Sequence, residues 1–438
     1  MPDALIDKLQ PLLRYPKIGL AVSGGRDSIA LMLLAAGGRD LVAGFPDIVV
    51  YSVDHGLRTQ SVDECRQVAA WANACGFVHR TLKWTGPHPS ANVLAKAREA
   101  RYRLLAEAAR EDGVEAIATA HHREDQAETV LLRLARGSGV RGLSAMTASS
   151  DVYGMTILRP LLDVPRERLE AMLQENRHPW IDDPSNDCDR FERIKIRKAG
   201  LVLDAIGLTP RRLSETARSM QRAHAALDHY ADLAFSRSVH AFAFGFVSVD
   251  WPQLTGEPDE VIFRILARLI NAVAGSDYPP RFAALERLRD RIEGHGDECG
   301  NVATLAGCTF EREGHLIWIY REAGRRGFPD IRVRGGESLI WDKRFAVESS
   351  YGRETCGTVK ALGAVKDFKW GASAAPVREG LLCEGLPKRA VETVPAFLVD
   401  NEIVHIAGEF TAFESKHCGQ VIIRPIHHDM RMMSQGFR

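Results

Sequence analysis

Residues 18–36 read IGLAVSGGRDSIALMLLAA, which is an apolar run, a Gly-Gly turn and a second apolar run. The first run, IGLAVS, is short and ends at glycines, as buried β-strands do. The second run, SIALMLLAA, is apolar on nearly every face of a helix and therefore predicts a buried helix. A buried strand that turns directly into a buried helix indicates a parallel sheet with helices on both faces.

The same order of strand, turn and helix repeats as far as about residue 200. Each run rich in apolar residues is followed by polar or glycine turn residues and then by a helical pattern. This repetition predicts an α/β fold with a doubly wound parallel sheet. The predicted strands are 18–23, 47–54, 77–84 and 114–122. The last three strands are followed by predicted helices at 61–74, 92–110 and 124–136, respectively.

The later part of the chain has a different pattern. Thr209-Pro210 is a good helix start, and helical patterns continue to about residue 292. From about Asn301 onward, short β-like runs alternate with Gly-rich and polar turns. We therefore predict an α/β catalytic domain over 1–208, a helical domain over 209–295 and a β-rich C-terminal domain over 296–438.

Composition excludes several classes of protein. The 438 residues are 45% hydrophobic and 26% charged, as in soluble globular proteins, which excludes collagen-like and disordered chains. Lys+Arg and Asp+Glu both total 57, so a surface for nucleic acid must be a local patch. No apolar run approaches the ~20 residues of a membrane span, and the N-terminus has no signal-peptide pattern. We therefore expect a cytoplasmic protein that makes no membrane contact.

The cysteines do not form a recognisable framework. There are eight of them, with no CxxC pair and no regular spacing. Zinc ribbons, thioredoxin-type pairs and disulfide scaffolds all require such spacing, so none of them is predicted.

The turn SGGRDS at 23–28 has the composition of an anion site. Glycines let the backbone approach an anion, and the helix that follows offers unpaired N–H groups and the positive end of its dipole. Ser23 and Ser28 add hydroxyl donors, and Asp27 is suited to a divalent metal that bridges phosphates. The turn is neither a Walker loop nor GxGxxG. A plain Gly-Gly turn with a polar helix cap is the alternative.

Two further polar clusters follow predicted strands: DHGLR at 54–58 and HHREDQ at 121–126. Taken singly, Asp54 is explained as a turn residue, and Asp125 as a carboxylate that complements a helix dipole. However, the carboxyl ends of parallel strands meet at one edge of an open sheet, where ligands bind. Three polar clusters at that edge therefore favour a binding or catalytic site.

These clusters and several other motifs occur in the order found in the tRNA(Ile)-lysidine synthetases, which are N-type ATP pyrophosphatases of the PP-loop superfamily. The chain resembles this family over about residues 18–200, and more by layout than by motif beyond them. SGGxDS alone marks only the superfamily, whereas the combination is highly specific. The other motifs are KAREARYR at 96–103, HHREDQAET at 121–129, RGSGVRGL at 136–143, RPLL at 159–162 and DPSN at 183–186.

The resemblance implies an adenine nucleotide alpha hydrolase-like fold and a ligase that attaches L-lysine to carbon 2 of the wobble cytidine of tRNA(Ile) with a CAU anticodon. With ATP and Mg²⁺ the enzyme would adenylate the cytidine oxygen and release pyrophosphate, after which the lysine ε-amine would displace AMP. The lysidine formed would change codon recognition from AUG to AUA and the tRNA identity from methionine to isoleucine. The oligomeric state is not implied, and a homodimer is left open.

The resemblance also implies roles for the residues that match the motifs. Asp27, Asp125 and Arg101 would be catalytic, and Asp27 would also hold Mg²⁺. The helical and β-rich domains would bind tRNA. The residues implied for ATP are Ser23, Gly24, Gly25, Arg26, Asp27, Ser28, Asp54, His55 and His121, and those implied for tRNA are Arg98, Arg133, Arg193 and Arg197.

Several of these arginines have plainer explanations. Arg98 and Arg101 share one helix face, so ion pairs with Glu99 or Glu107 would also explain them. Residues 190–222 contain nine Lys/Arg against three acidic residues, which suits a tRNA backbone or a solvated helix face. Where the family usually has an Arg-Asn pair, this chain has Arg193 followed by Ile194.

Two other functions and one metal site are alternatives to this interpretation. A tRNA thiolase of the same superfamily would need a reactive thiol pair or an iron-sulfur cluster, and the chain has no CxxC. A non-catalytic nucleotide-sensing or RNA-binding module would not need both Asp27 and Asp125. A zinc site on His121, His122 and Asp125 is disfavoured because neighbouring residues of an extended chain face opposite ways.

Overall fold

The chain folds into two compact units in a computed structural model: unit 1, residues 1–225, and unit 2, residues 226–438. Each unit has hydrophobic cores of its own. The structure describes residues 3–56, 60–85, 93–182, 192–276, 278–294, 299–324, 327–365, 369–370, 386–400, 402–407 and 421–426.

A six-stranded sheet forms the centre of unit 1. Its strands are β1 (Lys17–Ala21), β2 (Asp47–Asp54), β3 (Val78–Lys83), β4 (Ala116–Ala118), β5 (Ser149–Val152) and β6 (Met155–Leu158). The strand order is β3-β2-β1-β4-β6-β5. The pairs from β3 to β6 are parallel, and β5 runs antiparallel to β6 at the edge.

Helices cover both faces of this sheet. In β2, Val50 belongs to a core shared with Ile29 and Leu31, while its neighbours Val49 and Tyr51 belong to a core on the other face. The helices of unit 1 are α1 (Asp3–Ile6), a 3-10 helix (Asp7–Arg14), α2 (Arg26–Leu41), α3 (Ser61–Ala74), α4 (Val93–Glu111), α5 (Arg123–Ala135), α6 (Val140–Leu143), α7 (Arg166–Glu175), α8 (Glu192–Lys198) and α9 (Gly200–Ala205), and α10 (Pro210–Ser238) continues into unit 2.

The doubly wound parallel sheet predicted from the sequence is confirmed. The predicted strand at 47–54 and the predicted helix at 61–74 match β2 and α3 residue for residue. The hairpin of β5 and β6 was not predicted, because its strands are only four residues long and β5, SSDV, is polar. The turn after β6 reaches the same sheet edge as the turns after β1, β2 and β4.

Unit 2 contains three sheets and several helices within its described residues. The first sheet has the order β7-β8-β11-β10-β9, the second β12-β15-β17-β18-β16 and the third β13-β14-β19. These strands are β7 (Val239–Ala241), β8 (Val247–Asp250), β9 (Gly300–Leu305), β10 (Cys308–Glu313), β11 (Leu316–Arg321), β12 (Ile331–Arg334), β13 (Ser338–Trp341), β14 (Phe345–Ser349), β15 (Cys356–Ala361), β16 (Lys369–Trp370), β17 (Pro395–Val399), β18 (Glu402–Ile406) and β19 (Val421–Pro425).

The helices of unit 2 pack on its first sheet. An apolar face of α12 and α13 lies in one core with residues of β8, β10 and β11, so the predicted helical and β-rich regions share a core. The strands β7 and β8 lie in the region for which only helices were predicted.

Among the described residues, no helix combines the length and apolar character needed to cross a membrane. After the end of α10 the helices are α11 (Trp251–Thr255), α12 (Asp259–Ala274), α13 (Phe282–Gly294), a short 3-10 helix (Leu362–Ala364) and a one-turn helix (Lys388–Val391).

Candidate active site

The turn after β1 brings the SGGRDS motif to the carboxyl edge of the sheet. Gly24 has a φ of +90°, and a Cβ there would come within 2.7 Å of Ile181 Cδ1, so the position requires glycine. Gly25 precedes the first residue of α2, and the Ser28 hydroxyl donates a hydrogen bond to Gly25 O over 2.8 Å. The Ser23 amide donates to Ser28 Oγ over 3.2 Å. The folded turn places the N-terminus of α2 at the edge, as anion binding requires.

A buried histidine joins the two predicted catalytic carboxylates. His122 Nε2 lies 3.5 Å from Asp27 Oδ2 and 3.5 Å from Asp125 Oδ2. Asp27 is in the first turn of α2 and Asp125 in the first turn of α5, so two helix N-termini converge on this point. The sequence suggested His122 only as a zinc ligand and did not reveal its position between the two aspartates.

The charges of this group stabilise one another. Burial alone would lower the pKa of His122, but hydrogen bonds with Asp27 and Glu124 and the charge of Asp125 raise the pKa to about 10. His122 is therefore an imidazolium at neutral pH. Burial would raise the pKa of Asp27, but the hydrogen bond and charge of His122 lower it overall. Asp27 is thus held ionised.

Glu124 fixes the orientation of His122. Its Oε2 lies 3.0 Å from His122 Nδ1 and accepts a hydrogen bond from the Arg166 backbone N–H over 2.9 Å. The His122 backbone N–H donates to Asp125 Oδ2 over 3.1 Å. Because both ring nitrogens face carboxylates, the doubly protonated ring is held in one orientation.

His121 faces a different environment. Its Nδ1 lies 2.9 Å from Thr119 Oγ1. Burial, and then the charges of four arginines, lower the pKa of His121 to about 3, so the ring is neutral. The chain at His122 is extended, and the two histidines therefore face opposite sides. This argues against the zinc alternative on geometry. The four arginines are Arg98, Arg101, Arg159 and Arg193.

The helix α4 supplies two of these arginines. The guanidinium carbons of Arg98 and Arg101 lie 5.1 Å and 5.5 Å from the centre of the Tyr102 ring. The carboxylates that offered the plainer explanation pair elsewhere: Glu99 lies 3.2 Å from Lys96 Nζ, and Glu107 lies 4.0 Å from Arg103 Nε. Within the described residues neither Arg98 nor Arg101 forms an ion pair, and the ligand contacts predicted for them stay predictions.

Glu128 is a candidate functional residue that the sequence analysis missed. It is 5% exposed and lies one helical turn after Asp125, on the same face of α5. The Arg197 guanidinium donates to both carboxylate oxygens of Glu128, over 3.2 Å for Nη2 and Oε2. Burial raises the pKa of Glu128, although Arg197 opposes the shift. The motif HHREDQAET contained the signal, since its last Glu is three residues after Asp125.

Arg197 therefore has a protein partner. Its Nη2 also lies 3.9 Å from Asp125 Oδ1, so one guanidinium bridges two carboxylates of the site. Arg193, on the same short helix, is half-buried, and its charge acts on both His121 and Glu128. Arg133 is exposed near the end of α5. The tRNA contacts predicted for these three arginines stay predictions.

Arg26, at the x position of SGGxDS, contacts α7. Its guanidinium donates a hydrogen bond to Glu170 of α7 and lies 5.4 Å from the centre of the Trp180 ring. Arg26 thus ties the SGGRDS turn to α7. Its predicted contact with ATP stays a prediction.

Asp54 closes the turn after β2. Its Oδ1 accepts hydrogen bonds from the Ser61 hydroxyl and, over 2.9 Å, from the Gly56 N–H. The hydrogen bond from Ser61 is the main reason that the pKa of Asp54 is lowered. His55 follows it at the same edge. The ATP contacts predicted for Asp54 and His55 stay predictions, and Leu57, Arg58, the DPSN motif and Arg190 lie outside the described residues.

The site offers one oxygen suited to a divalent cation. Asp27 Oδ1 is buried and has no hydrogen-bond partner among the described residues. The same residues contain no group of three or more His, Cys, Asp or Glu side chains that could hold a metal. Mg²⁺ commonly binds through one or two carboxylates together with substrate phosphates. Asp27 fits a cation that binds together with a phosphate ligand.

Comparison with known proteins adds independent findings. A family model described as a PP-loop domain matches residues 4–202. A tRNA(Ile)-lysidine synthase from Ruegeria pomeroyi is 36% identical over 348 residues, which are 80% of this chain and 80% of that protein. Another, from Rhodopseudomonas palustris, is 40% identical over 321 residues, which are 71% of this chain and 92% of that protein.

Proposed function

This chain belongs to the tRNA(Ile)-lysidine synthase family, and we propose that its site joins L-lysine to carbon 2 of the wobble cytidine of tRNA(Ile) with a CAU anticodon, in a reaction that converts ATP to AMP and pyrophosphate. One observation carries the proposal. Asp27 of the SGGRDS turn and Asp125 of the HHREDQ turn both lie 3.5 Å from His122 Nε2. A binding module has no need of two ionisable carboxylates held by a buried cation.

The first chemical step is adenylation of the cytidine oxygen. That oxygen is a poor leaving group until it carries AMP, so the α-phosphate of ATP must reach it before lysine does. The backbone N–H groups at the N-terminus of α2 hold the pyrophosphate portion of ATP, and Ser23 and Ser28 add hydroxyl donors. Asp27 would hold Mg²⁺ through Oδ1, which has no hydrogen-bond partner among the described residues, and the ion would supply positive charge beside the pyrophosphate.

The second step is attack by the lysine ε-amine. The amine arrives protonated and must lose a proton before it can attack carbon 2 and displace AMP. Glu128 is suited to accept that proton, because burial raises its pKa and it lies on the same face of α5 as Asp125. Arg197 keeps both carboxylates in place.

Recognition of the tRNA needs surfaces beyond the catalytic edge. The methionine tRNA carries the same CAU anticodon, so selection of tRNA(Ile) depends on contacts elsewhere in the molecule. We assign these contacts to the regions 209–295 and 296–438, with Arg98, Arg133 and Arg193 near the anticodon loop. Binding at phosphates positions the tRNA, and base or shape recognition adds selectivity.

The test is transfer of labelled lysine. The purified chain is incubated with ATP, Mg²⁺, labelled lysine and either tRNA(Ile) with a CAU anticodon or the methionine tRNA as the matched control. Label in tRNA(Ile) alone is the expected result. No label in either tRNA would overturn the proposed function, and incorporation of sulfur in place of lysine would identify a thiolase.

A further inference from the structure

Arg159 is a buried arginine to which neither reaction step assigns a role. It directly follows β6, in the RPLL motif, and is 7% exposed. Its Nη1 donates to Thr147 O over 2.9 Å and to Ser150 Oγ over 3.0 Å. Its Nε is buried and has no hydrogen-bond partner within the described ranges. One edge of this guanidinium is therefore satisfied by the β5 hairpin, while its Nε–H is left without a partner.

The sheet register brings Arg159 to the side of the edge that His121 faces. β4 and β6 are paired in parallel with Ala118 opposite Leu158, so Thr119 and Arg159 leave the sheet side by side. The Thr119 N–H donates to Leu158 O over 2.9 Å. Thr119 Oγ1 also lies 2.9 Å from His121 Nδ1. Arg159, Thr119 and His121 thus form one corner of the carboxyl edge.

Two arginines of α4 bring further positive charge to this corner. Arg98 Nη2 lies 3.5 Å from the Tyr102 hydroxyl, and the charges of both Arg98 and Arg101 act on His121. Burial and the charge of Arg98 lower the pKa of Arg159, whereas the Tyr102 hydroxyl raises it through its charge and a hydrogen bond. In the part of the chain that the structure describes, no carboxylate forms an ion pair with Arg98, Arg101 or Arg159. The like charges of Arg98 and Arg159 oppose each other, and an anion bound beside them would offset this repulsion.

We propose that Arg159, together with Arg98 and Arg101, forms an oxyanion subsite that takes a phosphate group. Guanidinium groups match phosphate oxygens in geometry as well as charge. The subsite is separate from the SGGRDS turn, which lies on the side of His122. The proposal rests on the proposed function, which brings two kinds of phosphate to this edge: those of ATP and the backbone phosphates beside the wobble cytidine.

The test measures binding to the full chain, without catalysis. The Kd of ATP is measured in the absence of tRNA, and the Kd of tRNA(Ile) is measured without ATP at several salt concentrations. The variants are Arg159→Gln, Arg159→Lys and Arg98→Gln. The matched control is Arg103→Gln, which removes the same charge from an exposed position of α4 outside the subsite. Thermal unfolding checks that each variant is folded.

We expect Arg159→Gln and Arg98→Gln to raise the Kd of either ATP or tRNA by about tenfold, which is the usual effect of losing a charged hydrogen bond. Arg159→Lys should raise the same Kd less. A change in the Kd of ATP assigns the phosphate to the nucleotide. A weaker Kd of tRNA with a log-log salt slope reduced by about one assigns it to the tRNA backbone. Arg103→Gln should leave both values close to wild type.

Unchanged affinities for both ligands in Arg159→Gln and Arg98→Gln would overturn the subsite. If Arg159→Gln does not fold, Arg98→Gln decides, because Arg98 is exposed and its replacement leaves the core intact. The proposed function fails separately, through the absence of lysine transfer by the wild-type chain. If the wild-type chain transfers no lysine, but Arg98→Gln still weakens the binding of ATP or tRNA, the subsite stands although the proposed function fails.

Discussion

His121 and His122 are neighbours in the chain, but their side chains lie in opposite electrostatic surroundings. Burial and four arginines lower the pKa of His121 to about 3. Burial acts on His122 in the same direction, but hydrogen bonds with Asp27 and Glu124 and the charge of Asp125 raise its pKa to about 10. One side of the sheet edge is therefore lined by arginines, whereas the other holds carboxylates around a cationic histidine.

The charge on His122 should make stability depend on pH. Its folded pKa of about 10 lies above the unfolded value of about 6.5, so the folded state binds more protons between these values. The stabilisation is fully present below pH ~6.5 and is lost as the pH rises through about 10. Urea unfolding in Mg²⁺-free buffer should give a lower free energy of unfolding for His122→Gln than for wild type at pH 7. The difference between the two free energies should be smaller at about pH 9.5. An equal difference at both values would contradict a charged His122.

Asp27 should be essential for chemistry and dispensable for folding. Asp27→Ala should lower the single-turnover rate of lysidine formation by at least ~10²-fold, because one charge or metal contact at a phosphoryl centre typically contributes that much. Asp40→Ala is the matched control, since it removes an exposed carboxylate from the same helix. A rate close to wild type in Asp27→Ala would remove this residue from the mechanism.

Arg193 and Arg197 should affect different measurements although they share one helix. Arg193→Glu should weaken tRNA binding and reduce its log-log salt slope by about one to two. Arg197→Gln should mainly lower the ligation rate, because Glu128 loses the partner that compensates its buried charge. Lys195→Glu, at an exposed position of the same helix, is the control for net charge. Identical effects of the Arg193 and Arg197 variants on salt slope and rate would refute this separation.

A catalytic fragment should extend to residue 225, beyond the boundary at 208 predicted from the sequence. Leu213 and Ala217 of α10 pack on Ala127 and Val130 of α5. The Gln221 amide donates to Ser144 O over 2.9 Å and to Met146 O over 2.8 Å. The fragment 1–225 should therefore unfold at a higher temperature than 1–208, bind ATP and modify tRNA(Ile) far less efficiently than the full chain. Full efficiency with unaltered rejection of methionine tRNA would show that unit 2 does not select the tRNA.

Much of unit 1 could be predicted from the sequence because its signals are local. β2 is a run of apolar residues interrupted only by Ser52 and bounded by aspartates, and α3 ends two residues before Gly76, so both were placed correctly. The hairpin of β5 and β6 gave no such signal, because its strands are only four residues long and β5 is polar. The short strands β7 and β8 were missed for a similar reason, since β8 pairs with β11, far along the chain, and the three-residue β7 pairs with β8.

The candidate site was predictable as a set of motifs but not as a charge network. Parallel-strand topology placed Asp27 and Asp125 at one edge from sequence alone. The position of His122 between them depends on the direction of its side chain, which no motif reveals. Arg197 and Glu128 are 69 residues apart, so their ion pair depends on tertiary structure. Arg159 has no sequence signal beyond its place in RPLL, because its burial and the lack of a hydrogen-bond partner for its Nε among the described residues depend on tertiary structure.

The most direct test of the account is mass spectrometry of the wobble nucleoside, combined with a count of the nucleotide products. After reaction with ATP, Mg²⁺ and lysine, nucleoside 34 of tRNA(Ile) should be lysidine, with one AMP and one pyrophosphate released for each lysidine formed. Asp27→Ala and Asp125→Ala should each abolish both the lysidine and the AMP. Formation of ADP and phosphate, or an unmodified cytidine 34 despite ATP consumption, would contradict adenylation at the site built around His122.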